Sequence, residues 1–146
     1  MNKRTEVPPL SLYEQDETAW LEQTAELVAQ RRFGEIDPQH LSEYLADMAR
    51  RDKREVLSRL TILLAHLLKW DYQVAQRSNS WQATILSQRQ ELRDLFESGT
   101  LRNYALTIRD KAYERAVKQA AVESGSDDGV FPATCPWSFA EIVPEE

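Results

Sequence analysis

The chain has 146 residues, of which 42% are hydrophobic and 29% are charged, and this composition is typical of a globular domain rather than a disordered segment. Only four glycines are present, so turns are few and a many-stranded β architecture is disfavoured. The formal net charge of −6 opposes binding of the whole chain to polyanions.

The first predicted helix covers residues 12–32 and follows a flexible arm of residues 1–10. Ser11 can cap its N-terminus. Gly34 is expected to end it in the left-handed conformation. Apolar residues recur along it at helical spacing and indicate an amphipathic helix: Tyr13, Trp20, Leu21, Leu27 and Val28.

Asp37 followed by Pro38 predicts the start of a second helix, because these are favoured cap and first-turn residues. Asp52 predicts a further start, at which the chain either breaks or bends. The third helix covers residues 53–78 and is apolar on more than one face, so we expect neighbours to contact it from several sides.

Ser80 is predicted to cap a fourth helix that runs from residue 81 to about residue 97. Gly99 is expected to end that helix and Thr100 to cap a fifth one over residues 101–123. The alanines of the fifth helix permit close packing against a neighbour.

Gly125 ends the fifth helix, and Ser138 with Glu141 predicts a capping box for a short final helix. Short connections favour antiparallel neighbours. We therefore expect residues 11–146 to form a single all-α domain. It is predicted to be an up-and-down bundle of about five helices around the leucine-rich third helix, with a short C-terminal helix.

The charges are segregated along the sequence. Residues 1–49 hold four Lys/Arg and ten Asp/Glu, residues 50–118 hold fourteen and eight, and residues 119–146 hold none and six. The basic stretch can compensate the acidic ends within one chain or across a dimer. The densest part of this stretch consists of Arg50, Arg51, Lys53 and Arg54. Acidic residues interrupt it, which is typical of a solvated helix face, so we do not expect a nucleic-acid partner.

Several segments occur in the order found in a known family. They are Leu12-Tyr13-Glu14-Gln15-Asp16, Trp20-Leu21, His66-Leu67-Leu68-Lys69-Trp70, Arg77-Ser78-Asn79-Ser80-Trp81, Thr84-Ile85, Gln88-Arg89, Tyr113-Glu114-Arg115-Ala116, Phe131-Pro132 and Cys135-Pro136-Trp137. Across nearly its whole length the chain resembles a bacterial family known as domain of unknown function number twenty-nine. The resemblance implies an all-α bacterial protein and no assigned activity.

The most suggestive polar group lies on the third helix. His66, Lys69 and Trp70 share one face because they are three and four residues apart. Three further residues extend this strip: Gln73, Arg77 and Trp81. One interpretation is a ligand or partner surface, in which the cations take an anion and the indoles stack. The other is structural, with a hydrogen-bonded histidine and long cationic side chains that pass the two tryptophans.

A metal site is a weaker hypothesis. Its candidate ligands are His40, Glu43, Asp47 and His66, which a helical hairpin could bring together. The order is unfavourable, because di-metal bundles carry Glu-x-x-His on paired helices and this chain has a single His-x-x-Glu. We therefore assign no metal.

No catalytic residue or cofactor is assigned. The sequence contains no glycine-rich phosphate loop and no zinc-ligand spacing, and the single cysteine, Cys135, has no histidine close in sequence. That lone cysteine, the absence of a secretory signal and the lack of an apolar run of ~20 residues lead us to expect a cytoplasmic protein without membrane contact.

The leading hypothesis is a non-enzymatic helical protein-interaction module that can form a homodimer. The alternative is a small-molecule- or metal-binding protein with a site around His66, Lys69, Trp70 and Arg77.

Overall fold

The computed structural model describes residues 11–146, so the predicted arm of residues 1–10 lies outside the described part of the chain. The regular elements of this part are all helical, which confirms the predicted all-α class. Residues 11–146 contain six α-helices: α1 (Leu12–Gln15), α2 (Glu17–Ala29), α3 (Pro38–Tyr72), α4 (Asn79–Leu95), α5 (Gly99–Ser124) and α6 (Phe139–Ile142). Three single 3₁₀ turns lie between them: Phe33–Glu35, Val74–Gln76 and Asp128–Val130.

The fold divides into two compact units between Met48 and Ala49, within α3. The described part of the first unit contains α1, α2 and the first turns of α3. The second unit contains the rest of α3 together with α4, α5 and α6. The prediction of a single domain for residues 11–146 stays a prediction. None of the helices in residues 11–146 combines the length and the apolar character that a bilayer crossing requires.

The predicted helix over residues 12–32 is two helices, because Asp16 interrupts it. Asp16 has an extended φ of −154°, and its side chain accepts a hydrogen bond from the Ala19 amide at 3.1 Å as the N-cap of α2. An aspartate side chain that binds a nearby backbone amide favours a helix start over a helix interior. Ser11 caps α1 as predicted, accepting from the Glu14 amide at 3.3 Å.

The end of α2 was also predicted wrongly. The left-handed residue is Arg31, with φ 57°, whereas Gly34 lies in a 3₁₀ turn. Two backbone bonds close the helix end, from the Arg31 amide to Val28 O at 3.0 Å and from the Arg32 amide to Leu27 O at 2.9 Å. This pair is the Schellman pattern, which usually places glycine at the position of Arg31. The hydrogen bonds here outweigh the conformational preference of the residue.

The second and third predicted helices are one helix, α3. Asp37 caps it as predicted, accepting from the His40 amide at 3.2 Å. Asp52 lies inside the helix and starts nothing, since no glycine or proline interrupts residues 39–72. The helix ends at Tyr72 rather than at residue 78, because Gln73 leaves the helical conformation with φ −125° and ψ 52°.

The caps of α4 and α5 lie two residues earlier than predicted. Ser78, not Ser80, accepts from the Trp81 amide at 3.3 Å, and Ser98, not Thr100, accepts from the Leu101 amide at 3.3 Å. Each turn contains two residues able to cap, and the earlier one gives the longer helix. Gly99 does not end α4, as predicted, but is the first residue of α5, because α4 already ends at Leu95 and Ser98 caps the next helix. Two other signals are confirmed: Gly125 ends α5 with φ 67°, and Ser138 forms a capping box at the start of α6.

Contacts between α3 and α4 show that these neighbours are antiparallel in the second unit. Near the middle of α3, Arg59 donates to Gln88 of α4 at 3.3 Å. Near the C-terminal end of α3, the Lys69 ammonium lies 4.9 Å from the ring centroid of Trp81, at the start of α4. Later residues of α3 therefore contact earlier residues of α4.

The α5 helix runs parallel to α3. Lys53 lies 5.6 Å from the ring centroid of Tyr104, and Lys69 forms an ion pair with Glu123 near the end of α5. The second unit is therefore an up-down-up bundle. Its core pairs fully buried leucines of α3 with buried alanines of α5: Leu60, Leu63, Leu64, Leu68, Ala105, Ala112, Ala116 and Ala120. The predicted leucine-rich central helix is confirmed.

The leucines of α3 are the main apolar contribution to this core, and Leu64 is 0% exposed. We expect Leu64→Ala to lower the free energy of unfolding by about 2–5 kcal/mol, because it removes buried surface and leaves a cavity. Leu86→Ala is the matched control, since Leu86 lies inside α4 and is 57% exposed. Its effect should stay within about 0.5 kcal/mol. Urea unfolding followed by circular dichroism measures both, and equal losses would contradict this description of the core.

Candidate functional site

Three residues of the predicted polar strip, His66, Lys69 and Trp81, belong to a cluster where α3 and α5 end and α4 begins. Its centre is Lys69, whose side chain is nearly fully buried, with 3% of the residue exposed. The ammonium pairs with the Glu123 carboxylate of α5, lies 3.5 Å from Nε2 of His66 and faces the ring of Trp81 in α4. Three helices of the second unit thus meet at one positive charge, and we call these four residues the ammonium cluster.

The tautomer of His66 follows from its hydrogen bonds. Nδ1 lies 2.8 Å from the carbonyl oxygen of Ile62. A carbonyl can only accept, so Nδ1 carries the proton and Nε2 accepts from Lys69. Burial lowers the pKa of His66, and the neighbouring ammonium lowers it further. The imidazole is therefore neutral at pH 7.

Glu123 is the most exposed member of the cluster. Burial raises the pKa of its carboxyl group, but hydrogen bonds from Lys69 and Gln119 outweigh that effect, and the pKa lies below its ordinary value. The Gln119 amide donates to the carboxylate at 2.8 Å, one turn earlier on α5. The carboxylate is therefore held in its charged form opposite the buried ammonium.

Gln73 continues the contact between α3 and the end of α5 by one turn. Its amide nitrogen donates to the hydroxyl of Ser126 at 2.7 Å, and that hydroxyl lies 3.1 Å from the hydroxyl of Ser124. Ser124 in turn donates to the carbonyl of Ala120 at 2.6 Å. This chain of bonds holds the start of the loop after α5 against α3.

Trp70 and Arg77 form a separate pair. The guanidinium lies 4.6 Å from the centroid of the Trp70 ring, and its Nε donates to the Trp70 carbonyl at 2.8 Å. Arg77 thereby covers a carbonyl that the end of α3 leaves without a helical partner. The strip predicted from sequence is thus divided into the ammonium cluster, the Gln73 contact and this pair.

Two members of the assembly, Glu123 and Ser126, were missed by the sequence analysis. The available signal was the direction of the helices, since in an up-down-up bundle the first and third helices end at the same side. The acids near the end of α5 were therefore candidates for the counter-charge of Lys69. In the part of the chain that the structure describes, every buried side-chain nitrogen and oxygen has a hydrogen-bond partner.

The candidate metal ligands do not form a site. His40 pairs with Asp37, lies 3.9 Å from a carboxylate oxygen of Glu14, and stacks on Tyr13 with ring centroids 4.5 Å apart. The hydrogen bond that the His40 imidazole donates to Asp37 raises the pKa of His40. His66 belongs to the same helix, so the hairpin on which the hypothesis depended does not form. No group of three or more His, Cys, Asp or Glu residues suited to a metal ion occurs within residues 11–146, and this includes Glu43 and Asp47.

A groove of about 640 Å³ lies between α5 and the loop that follows it. Tyr113 forms part of its wall and donates to the carbonyl of Pro132 at 2.6 Å, and burial raises the pKa of Tyr113 to about 12. Cys135, also in the wall, has its sulfur 3.6 Å from the carbonyl of Trp137. The phenol thus ties the loop to α5 and remains protonated, which is a structural role.

An apolar recess of about 380 Å³ lies in the first unit, beside the start of α3. We call it the Phe33 recess, and its apolar lining is Phe33, Ile36, Pro38, Leu41 and Leu45. Phe33 is 62% exposed and Leu45 is 59% exposed. Leu41 and Leu45 are four residues apart and therefore share a face of α3.

The model of the family described as domain of unknown function DUF29 matches residues 12–146. The chain belongs to this family. A search of the curated proteins and a search of the solved structures found no significant match to this chain. In this DUF29 chain the segment His66-Leu67-Leu68-Lys69-Trp70 and the segment Arg77-Ser78-Asn79-Ser80-Trp81 together supply most of the ammonium cluster and the adjacent cation–aromatic pair.

The buried ion pair gives a stability prediction for DUF29. Glu123→Ala leaves the Lys69 ammonium buried without its carboxylate, and we expect the free energy of unfolding to fall by about 1–3 kcal/mol. Adding Lys69→Met removes the uncompensated charge while keeping most of the side-chain volume, so part of the stability should return. Urea unfolding of the single and double variants measures this, with Glu114→Ala on the exposed face of α5 as control. A double variant less stable than Glu123→Ala alone would contradict the assignment.

The first unit gives a pH prediction. Because the pKa of His40 is raised in the folded state, its contribution to stability is complete below its unfolded value of about 6.5. The contribution is then lost as the pH rises through the folded pKa. We therefore expect the hydrogen-exchange protection of residues 12–29, corrected for intrinsic rates, to decrease as the pH increases through the folded pKa of His40. His40→Gln does not titrate and should remove this pH dependence; an unaltered profile in the variant would show that His40 is not its source.

Proposed function

We propose that the chain is a non-enzymatic helical interaction module that associates with a second copy of itself through the Phe33 recess. The observation that carries this proposal is the exposure of Phe33 and Leu45 around one apolar recess. Burying a side chain of this size contributes roughly 1.5–3 kcal/mol. An apolar surface of this kind is typical of a protein contact.

Charge complementarity favours a second copy as the occupant. The described residues of the first unit, 11–48, hold nine Asp/Glu and two Lys/Arg, whereas residues 50–118 hold fourteen Lys/Arg and eight Asp/Glu. If the acidic first unit of one copy contacts the basic stretch of another, opposite charges attract each other around the apolar Phe33 recess. Such an arrangement resembles interfaces with an apolar core and a charged rim.

The internal pairing of the polar strip supports an interaction role over a ligand site. The two cations that the alternative hypothesis would use for an anion, Lys69 and Arg77, are engaged by Glu123 and Trp70. No observation favours a small-molecule or metal site there, so we keep the interaction module as the proposed function. We also propose a bacterial, cytoplasmic protein, on the family resemblance and on the single cysteine.

Sedimentation equilibrium of the full chain tests self-association. We expect a dimer whose dissociation constant rises between about 0.05 and 0.5 M salt, because exposed charges are screened over that range. Leu45→Gln should weaken the dimer by about tenfold or more, since the loss of one buried leucine exceeds the ~1.4 kcal/mol that corresponds to a factor of ten.

The control is Val122→Gln, which changes an apolar residue of α5 that is 83% exposed and lies outside both the recess and the basic stretch, so it should leave the dissociation constant unchanged. A wild-type chain that sediments as a monomer at every concentration would overturn the proposal. So would equal weakening by both substitutions. A dimer strengthened by salt would contradict the charge-complementary arrangement.

A further inference from the structure

The imidazole of His66 occupies an unusual position, because the lone pair on its Nε2 accepts a hydrogen bond from the buried ammonium group of Lys69. Nδ1 donates to the Ile62 carbonyl, so Nε2 is the atom that would take up a proton. Nε2 lies 3.5 Å from the ammonium nitrogen of Lys69. A proton on Nε2 therefore removes the acceptor of this hydrogen bond and places two positive charges side by side.

Few groups can compensate a second positive charge there. On its own helix His66 faces Lys69, which is also a cation. From α5 it faces Glu123, whose carboxylate already pairs with that ammonium. The α4 helix contributes the indole of Trp81, which carries no charge. One carboxylate would then serve two cations, and the contact between Lys69 and Glu123 would weaken.

The end of α5 depends on these polar contacts more than the rest of the helix does. Its last buried residues are the alanines Ala120 and Ala121, which bury little surface, and Val122 is 83% exposed. Beyond them, Glu123 binds Lys69 of α3, and Ser126 binds Gln73, which directly follows α3. A weakened ammonium cluster would therefore release this end first.

We propose that His66 is an acid-sensitive latch: protonation of its Nε2 releases the last turn of α5 and the start of the following loop, residues 119–126, from α3. The latch is closed when the imidazole is neutral and accepts from Lys69. It opens on mild acidification, as the histidine, rather than the carboxylate, gains a proton. The device is separate from the Phe33 recess and does not depend on self-association.

The pH window follows from the neighbouring groups. The pKa of His66 is lowered in the folded state, so the stabilising contact is complete above the unfolded value of about 6.5 and is lost as the pH falls below it. The pKa of Glu123 also lies below its ordinary value, so this carboxylate stays charged between pH 7.5 and 5.5. The only other histidine in the chain, His40, responds with the opposite sign.

Hydrogen exchange of the full chain, corrected for intrinsic rates, tests the latch. Between about pH 7.5 and 5.5, we expect the protection of peptides within residues 117–127 to fall by about three- to tenfold, the upper bound being the linkage limit for one histidine. His66→Gln keeps an oxygen that can accept from Lys69 but does not titrate, so its protection should not depend on pH. His40→Gln should retain the wild-type fall.

Unchanged wild-type protection over this range would overturn the proposal, and so would an equal fall in His66→Gln. If that variant does not fold, nuclear magnetic resonance of the wild-type chain provides the second test. The backbone amides of Glu123 and Ser126 should titrate with the same midpoint as the His66 ring, below pH 6.5. Amide shifts that do not follow the ring titration would show that His66 does not control this end of α5.

Discussion

A buried ammonium group needs a carboxylate within reach, and this need determines how one end of the second unit is arranged. Transferring a charge from water into a protein interior costs several kcal/mol unless a partner compensates it. Lys69 is 3% exposed, and its nitrogen meets Glu123 from α5, the ring of Trp81 from α4 and Nε2 of His66 from its own helix. Any sliding of α5 along α3 would separate the charges, so the pair determines the relative register of the two helices.

The sequence predicted the parts of this arrangement that depend on local spacing. His66 and Lys69 were grouped because residues three apart share a helix face. The central position of α3 was predicted because its apolar residues are not confined to one face of the helix, and the structure buries both Ala65 and the neighbouring Leu64 completely. Glu123 could not be identified in the same way, since its position beside Lys69 depends on the direction of α5, which is a property of the tertiary fold.

Two aspartates illustrate why helix boundaries were harder to predict. Asp16 ends α1 and caps α2, whereas Asp52 lies within the uninterrupted helix α3. Their sequence contexts do not distinguish them, because each is followed by a charged residue and neither has a proline nearby. A capping residue is only a permitted start, and the chain uses it when the preceding residues leave the helical conformation. The same ambiguity explains why Ser78 and Ser98 act as caps in place of Ser80 and Thr100.

The alanine face of α5 has a consequence for how this protein tolerates change. Ala105, Ala112, Ala116 and Ala120 are all fully buried, and each presents a single methyl group toward the core. Larger side chains there would push two helix backbones apart, because a close-packed interior has no spare volume. We therefore expect sequence variation to be most restricted at these alanines. They allow α5 to pack closely but do not determine its register against α3, which depends on the charged and polar groups at the C-terminal end of α5.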